Sequence, residues 1–185
     1  MAQKKLRAAN QQLLDIIDFL PDATFVIDRG GIVIAWNKAM EEMSGLRKED
    51  ILGKGDYAYA VPFYGVPRPL LIDLVFAEDR DTEQKYEYTD RRGATIYAEV
   101  YISGLYGGEG GYLWCKAIPL LDSDGNVTGA IESIRDITIR KNAEEQLKYL
   151  SLHDYLTGLY NRTFFEEGVQ RASDGRFDPI GIIVN

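Results

Sequence analysis

The sequence holds one cysteine and one histidine in 185 residues, and each scarcity removes a class of chemistry. Cys115 has no second cysteine to pair with, which excludes an internal disulfide and a Cys-x-x-Cys metal site. His153 has no second imidazole beside it for acid–base work. No apolar run approaches the ~20 residues of a membrane helix. Residues 1–10 are polar and lack the apolar stretch of a signal peptide. A cytoplasmic address is the expectation. Lys and Arg number 21 against 29 Asp and Glu, for a net charge of −8. That balance argues against a nucleic-acid or anionic-membrane partner, because both select clustered Lys and Arg.

What is present suits one domain of ordinary size with helices attached. Apolar residues make up 45% of the chain and charged residues 27%, enough for a core under a soluble surface. From Gln3 to Leu20 the pattern is helical. Leu6, Asn10, Leu13, Ile17 and Leu20 alternate steps of four and three, a heptad seam with one polar member. The seam suits either packing on the chain's own core or a parallel coiled coil with a second copy. Pro21-Asp22 ends it. Two β-rich runs, Ala23 to Asp28 and Ile32 to Trp36, flank the turn Arg29-Gly30-Gly31. Asn37 is placed to cap a helix over Lys38 to Ser44, stopped by Gly45. The stretch Gly53 to Pro69 is irregular and aromatic, and Pro69 suits the first turn of a helix running to about Ala77.

Four strand-like runs follow: Gln84 to Thr89, Ala94 to Ser103, Tyr112 to Leu121 and Val127 to Arg135. Between them lie Asp90 to Gly93, Gly104 to Gly111 and Asp122 to Gly125, which carry turn chemistry. Ile96, Ala98, Val100 and Ile102 alternate with polar or aromatic neighbours, giving a strand with one apolar face. The expectation is an α+β fold: an antiparallel sheet of five or six strands, short helices on one face, and flanking N- and C-terminal helices. After Asp136, Ile139, Ala143, Leu147 and Leu150 share one helical face opposite Arg140, Lys141, Glu144, Glu145 and Lys148.

Two resemblances rest on motifs in this chain. Trp36-Asn37-x-Ala39, Ser44-Gly45, Ile51-Leu52-Gly53, Asp122-x-Asp124-Gly125, Gly129 and Arg135-Asp136-Ile137-Thr138 together resemble a PAS sensor domain over roughly Leu20 to Arg140. That family has three strands after its last helix, where four candidates stand here. His153-Asp154-x-Leu156-Thr157-Gly158-Leu159-x-Asn161-Arg162-x-x-Phe165 resembles the opening of the GGDEF diguanylate cyclase domain. That family condenses two GTP molecules into cyclic di-GMP with aspartate-bound divalent metal. The resemblances divide the chain into a helix (1–20), a PAS sensor (21–136), a linker helix (137–153) and the start of a cyclase domain (154–185). Ile180 to Asn185 resembles the first cyclase strand. The metal-binding aspartates and the Gly-Gly-Asp/Glu-Glu-Phe signature are absent, so no catalytic or metal-ligating residue is expected here. GTP and Mg²⁺ would belong to the missing cyclase.

The resemblance also frames the candidate site. Flavin-binding relatives carry a reactive cysteine in a segment that falls near Gly55 to Ala58, where this chain reads Gly-Asp-Tyr-Ala. Flavin chemistry is therefore not expected, and haem is disfavoured because His153 lies outside the sensor. No cofactor is required. PAS domains bind ligands between their short helices and the inner sheet face. Tyr57, Tyr59, Tyr64 and Arg68 fall there by resemblance, offering hydroxyls and a guanidinium to a small polar or carboxylate metabolite. Glu132 alternates with Ala130 and Ile134, so an inward face would bury its carboxylate and demand a partner, Arg68 or a ligand. The resemblance implies signal transmission through Asp136, Thr138, Ala143, Leu147 and Leu150, in a homodimer joined through the terminal helices. The alternative is a ligand-free PAS dimerisation module. His153 and Asp154 are expected as a structural turn and a helix cap.

Overall fold

The computed structural model describes residues 2–154 and 156–166. The chain falls into two units, Met1–Thr138 and Ile139–Asn185. In the first, helix α1 (Ala2–Asp18) precedes strands β1 (Ala23–Asp28) and β2 (Val33–Trp36) and helices α2 (Lys38–Ser44), α3 (Lys48–Ile51) and α4 (Val61–Tyr64). A 3-10 turn, Leu71–Val75, and the short α5 (Arg80–Glu83) lead into β3 (Tyr88–Arg92), β4 (Thr95–Ile102), β5 (Gly111–Leu121) and β6 (Val127–Asp136). Helix α6 (Thr138–Leu152) follows. The side chains of Leu6 and Asn10 and the expected strand Ile180 to Asn185 lie outside the described residues.

The six strands form one antiparallel sheet in the order β2-β1-β6-β5-β4-β3, with the long central strands β5 and β6 side by side. This is the expected α+β architecture, with six strands. Alternation decides which face is inward: Ile96, Ala98, Val100 and Ile102 of β4 are buried, as are Leu113, Cys115 and Ala117 of β5. Register brings Phe25, Glu132, Ala117 and Ile96 into one row across the sheet, and Ala23, Ile134, Cys115 and Ala98 into the next. The helical segments close this face. Phe25 packs its ring 5.6 Å from Trp36 and 5.3 Å from Tyr59. The Trp36 indole donates to the Leu46 carbonyl at 3.1 Å, so its one polar atom is satisfied.

Two local expectations are corrected. The chain from Pro69 forms a 3-10 turn, Leu71–Val75, and no helix to Ala77, because Asp73 pins the Leu70 N–H at 2.8 Å and holds the turn tight. The third strand also begins later than expected. Asp79 caps α5 by accepting from Thr82 Oγ1 at 2.6 Å, so residues 84–87 finish that turn, and Asp90, Arg91 and Arg92 pair with β4 as strand. Charged residues suit this position, since β3 is an edge and charge there discourages further pairing.

Gly129 marks where the sheet tolerates no side chain. A Cβ there would sit 2.5 Å from the Ile27 carbonyl oxygen, which belongs to backbone and cannot turn aside. Gly129→Ala should therefore lower stability by about 1–3 kcal/mol, read as a lower urea midpoint with unchanged slope.

Candidate functional site

Glu132 sits at the centre of the inner face. Its side chain is 1% exposed. Small neighbours make the room, since Ala117 pairs with it on β5 and Ala130 and Ala98 lie on the same face. The 3-10 turn aims the Ile72 N–H at Glu132 Oε2, 2.9 Å away, and the buried Cys115 thiol lies beside the same carboxyl. The Ile72 N–H thus fills the partner role expected of Arg68 or a ligand. A backbone N–H and a thiol supply no positive charge. Burial therefore pushes the Glu132 carboxyl up to about 8, with the Ile72 N–H opposing and the Asp73 charge adding to the rise. Burial likewise lifts the Cys115 thiol well above its ordinary value.

Around Glu132 the lining is Phe63, Tyr64, Leu70, Tyr86, Val100, Ile102, Leu113, Cys115 and Ile134. The free space among them is about 10 Å³, room for one water at most. Tyr64 belongs to this wall, and the Arg68 guanidinium stacks on its ring, 4.0 Å from the centroid. Arg68 Nε is buried without a hydrogen-bond partner among the described residues. Burial pushes the Tyr64 phenol up to about 12, with Arg68 opposing.

Tyr57 and Tyr59 lie elsewhere. They line an outer cleft of about 380 Å³ with Arg29, Asp56, Pro69 and Asp73. Asp56 and Tyr57 both adopt left-handed backbone, φ 51° and 58°, which is costly for residues bearing a Cβ. Tyr59 is 1% exposed and donates its hydroxyl to Asp73 Oδ1 at 2.7 Å, while Asp73 Oδ2 accepts the Leu70 N–H. Burial raises Asp73 above the ordinary carboxylate range against those two bonds. The five sequence candidates therefore divide into an inner pair (Tyr64, Glu132), an outer pair (Tyr57, Tyr59), and Arg68, which packs on Tyr64 without lining the inner cavity. Asp73, Ile72 and Tyr86 were missed. Asp73 carried a signal, being a lone carboxylate inside the apolar run Leu70 to Val75.

The exit from the sheet is a second constellation. Ile137 is buried, and its N–H donates to the Tyr112 carbonyl at 2.9 Å. The Tyr112 N–H returns a bond to Thr138 Oγ1 at 2.9 Å. Asp136 Oδ1 accepts the Thr138 N–H at 2.7 Å, and Oδ2 accepts the Tyr106 hydroxyl at 2.6 Å. Partial burial alone would raise the Asp136 carboxyl, but the bonds from Thr138 and Tyr106 hold it below its usual range. One residue earlier, Arg135 grips Asp22 through Nε and a terminal nitrogen, at 2.9 and 2.7 Å. The chain's entry to and departure from the sheet are thereby pinned together.

A model of the PAS fold matches residues 17–142, spanning the sheet, its helical cover and this exit. The chain belongs to the PAS family. Among curated proteins, this PAS chain is 26% identical over 151 residues to the probable diguanylate cyclase DgcE of Escherichia coli, covering 82% of this chain and 12% of that protein. It is 40% identical over 180 residues to the uncharacterized protein y4lL of Sinorhizobium fredii, covering 91% of this chain and 20% of that protein. The chain thus spans only 12% and 20% of the length of these curated relatives. An RNA-binding light-oxygen-voltage receptor shares the fold at 16% identity with a TM-score of 0.53, over 77% of this chain and 36% of that one. Among the described residues of this PAS chain, no helix is long and apolar enough to cross a membrane, and no three His, Cys, Asp or Glu side chains gather as metal ligands.

In the second unit, Ile139, Leu147 and Leu150 are 88%, 68% and 51% exposed along α6, and Ala143 is exposed with them. Past the helix, His153 stacks on Tyr149 with centroids 3.9 Å apart and contacts Tyr160 at 4.5 Å. Its Nδ1 lies 2.9 Å from the Tyr149 carbonyl oxygen. Asp154 Oδ1 accepts from the Leu156 and Thr157 N–H groups and from the Thr157 hydroxyl, which holds it below its usual range. Both residues build a turn.

Proposed function

We propose that these residues are the sensory and regulatory module of a larger signalling protein, controlling a C-terminal diguanylate cyclase that makes cyclic di-GMP from GTP with Mg²⁺. The observation that carries this reading is α6. It follows the pinned Asp136–Thr138 junction and exposes an apolar seam, Ile139, Ala143, Leu147 and Leu150, which a solvated helix has no reason to keep. Two copies meeting along that seam would set how two cyclase domains face each other. The cyclase-like motif from His153 to Phe165 and the likeness to a probable diguanylate cyclase support the assignment. The cue is a small polar metabolite entering an enlarged inner cavity. A donor group would meet Glu132, and a carboxylate would take the partnerless Arg68 Nε.

The test is sedimentation of the chain at high concentration. A dimer is expected, and Leu147→Asp with Leu150→Asp should weaken it by about a hundredfold or more, since each buried leucine contributes roughly 1.5–3 kcal/mol. A strictly monomeric parent chain would overturn the linker mechanism. A ligand-free dimerisation module is favoured by one observation, the inner cavity of about 10 Å³. Native mass spectrometry separates the two: a bound small molecule supports the sensor, and its absence after purification from cells supports the interaction module.

A further inference from the structure

Three consecutive residues of the loop between β4 and β5 touch three different parts of the domain. Gly104 lies under α4, where a Cβ would stand 3.7 Å from the Phe63 carbonyl oxygen, and Phe63 is part of the inner cavity wall. Leu105 is buried, 3% exposed, in the same hydrophobic core as Phe63 and Ile102. Tyr106 points the other way, to Asp136, the carboxylate that caps the first turn of α6. Ile102, which also lines the cavity, is the last residue of β4 before this loop.

The loop is built for a tight path. Tyr106 has left-handed backbone, φ 53°, followed by Gly107, Gly108 and Gly110 at φ 74°, 102° and 76°. A non-glycine residue in that region is strained by its Cβ, so another contact must retain it. Two do: the Tyr106 hydroxyl on Asp136, and the Gly110 N–H on the Leu105 carbonyl at 3.1 Å. Gly111 marks the convergence. A Cβ there would meet Leu105 Cδ2 at 3.0 Å, Thr138 Oγ1 at 3.0 Å and the Tyr106 ring at 3.6 Å. Core plug, latch hydroxyl and helix start therefore share one packing point.

We infer that the Gly104–Gly110 loop is a latch in which the seating of Leu105 in the core decides whether Tyr106 holds the Asp136 cap of α6. With Leu105 seated, the short strained path between the two residues leaves the Tyr106 hydroxyl on Asp136. A change in the cavity wall at Phe63 or Ile102 that lifts Leu105 carries Tyr106 off the carboxylate and loosens the Thr138 turn. The latch rests on the proposed role of α6 as the output element and supplies the step between cavity and helix.

Amide hydrogen exchange on the 185-residue chain, without ligand and without a cyclase, reads it directly. Tyr106→Phe keeps the ring on Gly111 and removes only the hydroxyl. It should speed exchange at the Thr138 amide about tenfold, the scale of a hydrogen bond to a charged group, with the β1 amides unchanged. Leu105→Ala should produce the same local acceleration with the hydroxyl still present. Gly111→Ala, which wedges Leu105 from Thr138, is the second route should the alanine variant lose global stability. No change at Thr138 in Tyr106→Phe overturns the latch. Acceleration in Tyr106→Phe, with none specific to Thr138 in Leu105→Ala or Gly111→Ala, overturns the coupling to the core. A chain that proves to bind no ligand or to drive no cyclase overturns the proposed function and leaves the exchange result standing.

Discussion

Asn37→Ala should cost about 3–5 kcal/mol of unfolding free energy, a large share of the ~5–15 kcal/mol that holds a domain of this size. Asn37 is fully buried and every polar atom of its amide is used. Oδ1 accepts the Thr24 N–H and the Met40 N–H, both at 2.9 Å, fixing the start of β1 to the first turn of α2. Nδ2 lies 3.2, 3.3 and 3.0 Å from the carbonyl oxygens of Ile17, Leu20 and Asp22, the descent from α1 into β1. Alanine loses the side-chain cap and strands the buried Thr24 N–H and the Leu20 carbonyl. The Met40 N–H keeps its 3.1 Å bond to the residue 37 carbonyl, and the Ile17 and Asp22 carbonyls keep the Leu20 N–H and the Thr24 hydroxyl. Asn37→Asp divides the two roles. It keeps both caps and sets an oxygen against three carbonyls, so it should be similarly destabilised at pH 7 and partly rescued when the new carboxyl is protonated. Urea unfolding followed by tryptophan fluorescence measures both. A loss below about 1 kcal/mol in the alanine variant would mean that the α1 descent does not depend on this amide.

The sequence foretold half of that residue. An asparagine before Lys38 to Ser44 reads as a helix cap because capping is local, one side chain to an N–H three residues on. Its grip on Ile17, Leu20 and Asp22 could not be read, since it depends on how the chain returns across fifteen or more residues. The same divide runs through the sheet and the site. Alternation in β4 told which face is inward, and the inward turn of Glu132 followed from Ala130 and Ile134 beside it. Its partner could not, because the Ile72 N–H comes from a turn sixty residues away whose shape is set by Asp73 and Tyr59. The boundary of β3 was misplaced for a local reason that was legible, the Asp79 cap on Asp-Thr chemistry. Tyr57 and Tyr64 stood seven residues apart as one candidate site, and two left-handed residues and α4 carry them to different cavities.

Glu132 should make the domain lose stability as pH rises from about 5 to about 8, and Glu132→Gln should remove that loss. The sign follows from proton counting. The unfolded carboxyl gives up its proton near 4.5, while the folded one keeps it to about 8. Through that window the native state binds more protons, so its stability is complete below about 4.5, falls as pH rises, and levels off once the folded group ionises. The total is on the order of 5 kcal/mol. Asp73, also raised by burial, adds a slope of the same sign. Asp79, Asp122, Asp136 and Asp154 are lowered, so their contributions are already complete at the acid end of the window and add no slope within it. Cys115 stays neutral throughout, its thiol being held up by burial. Glutamine preserves the volume and the acceptor for the Ile72 N–H, and its amide faces the Cys115 sulfur, a weak acceptor, so the variant should be no more stable than the parent at pH 5. At pH 8.5, where the parent carries a buried charge against a backbone N–H and a thiol, the variant should be the more stable by about 2–4 kcal/mol. Urea midpoints across the range give the two curves. Curves that run parallel would mean that Glu132 is ionised in the folded protein from pH 5 upward, which its neighbours, none of them cationic, would have to be rearranged to support.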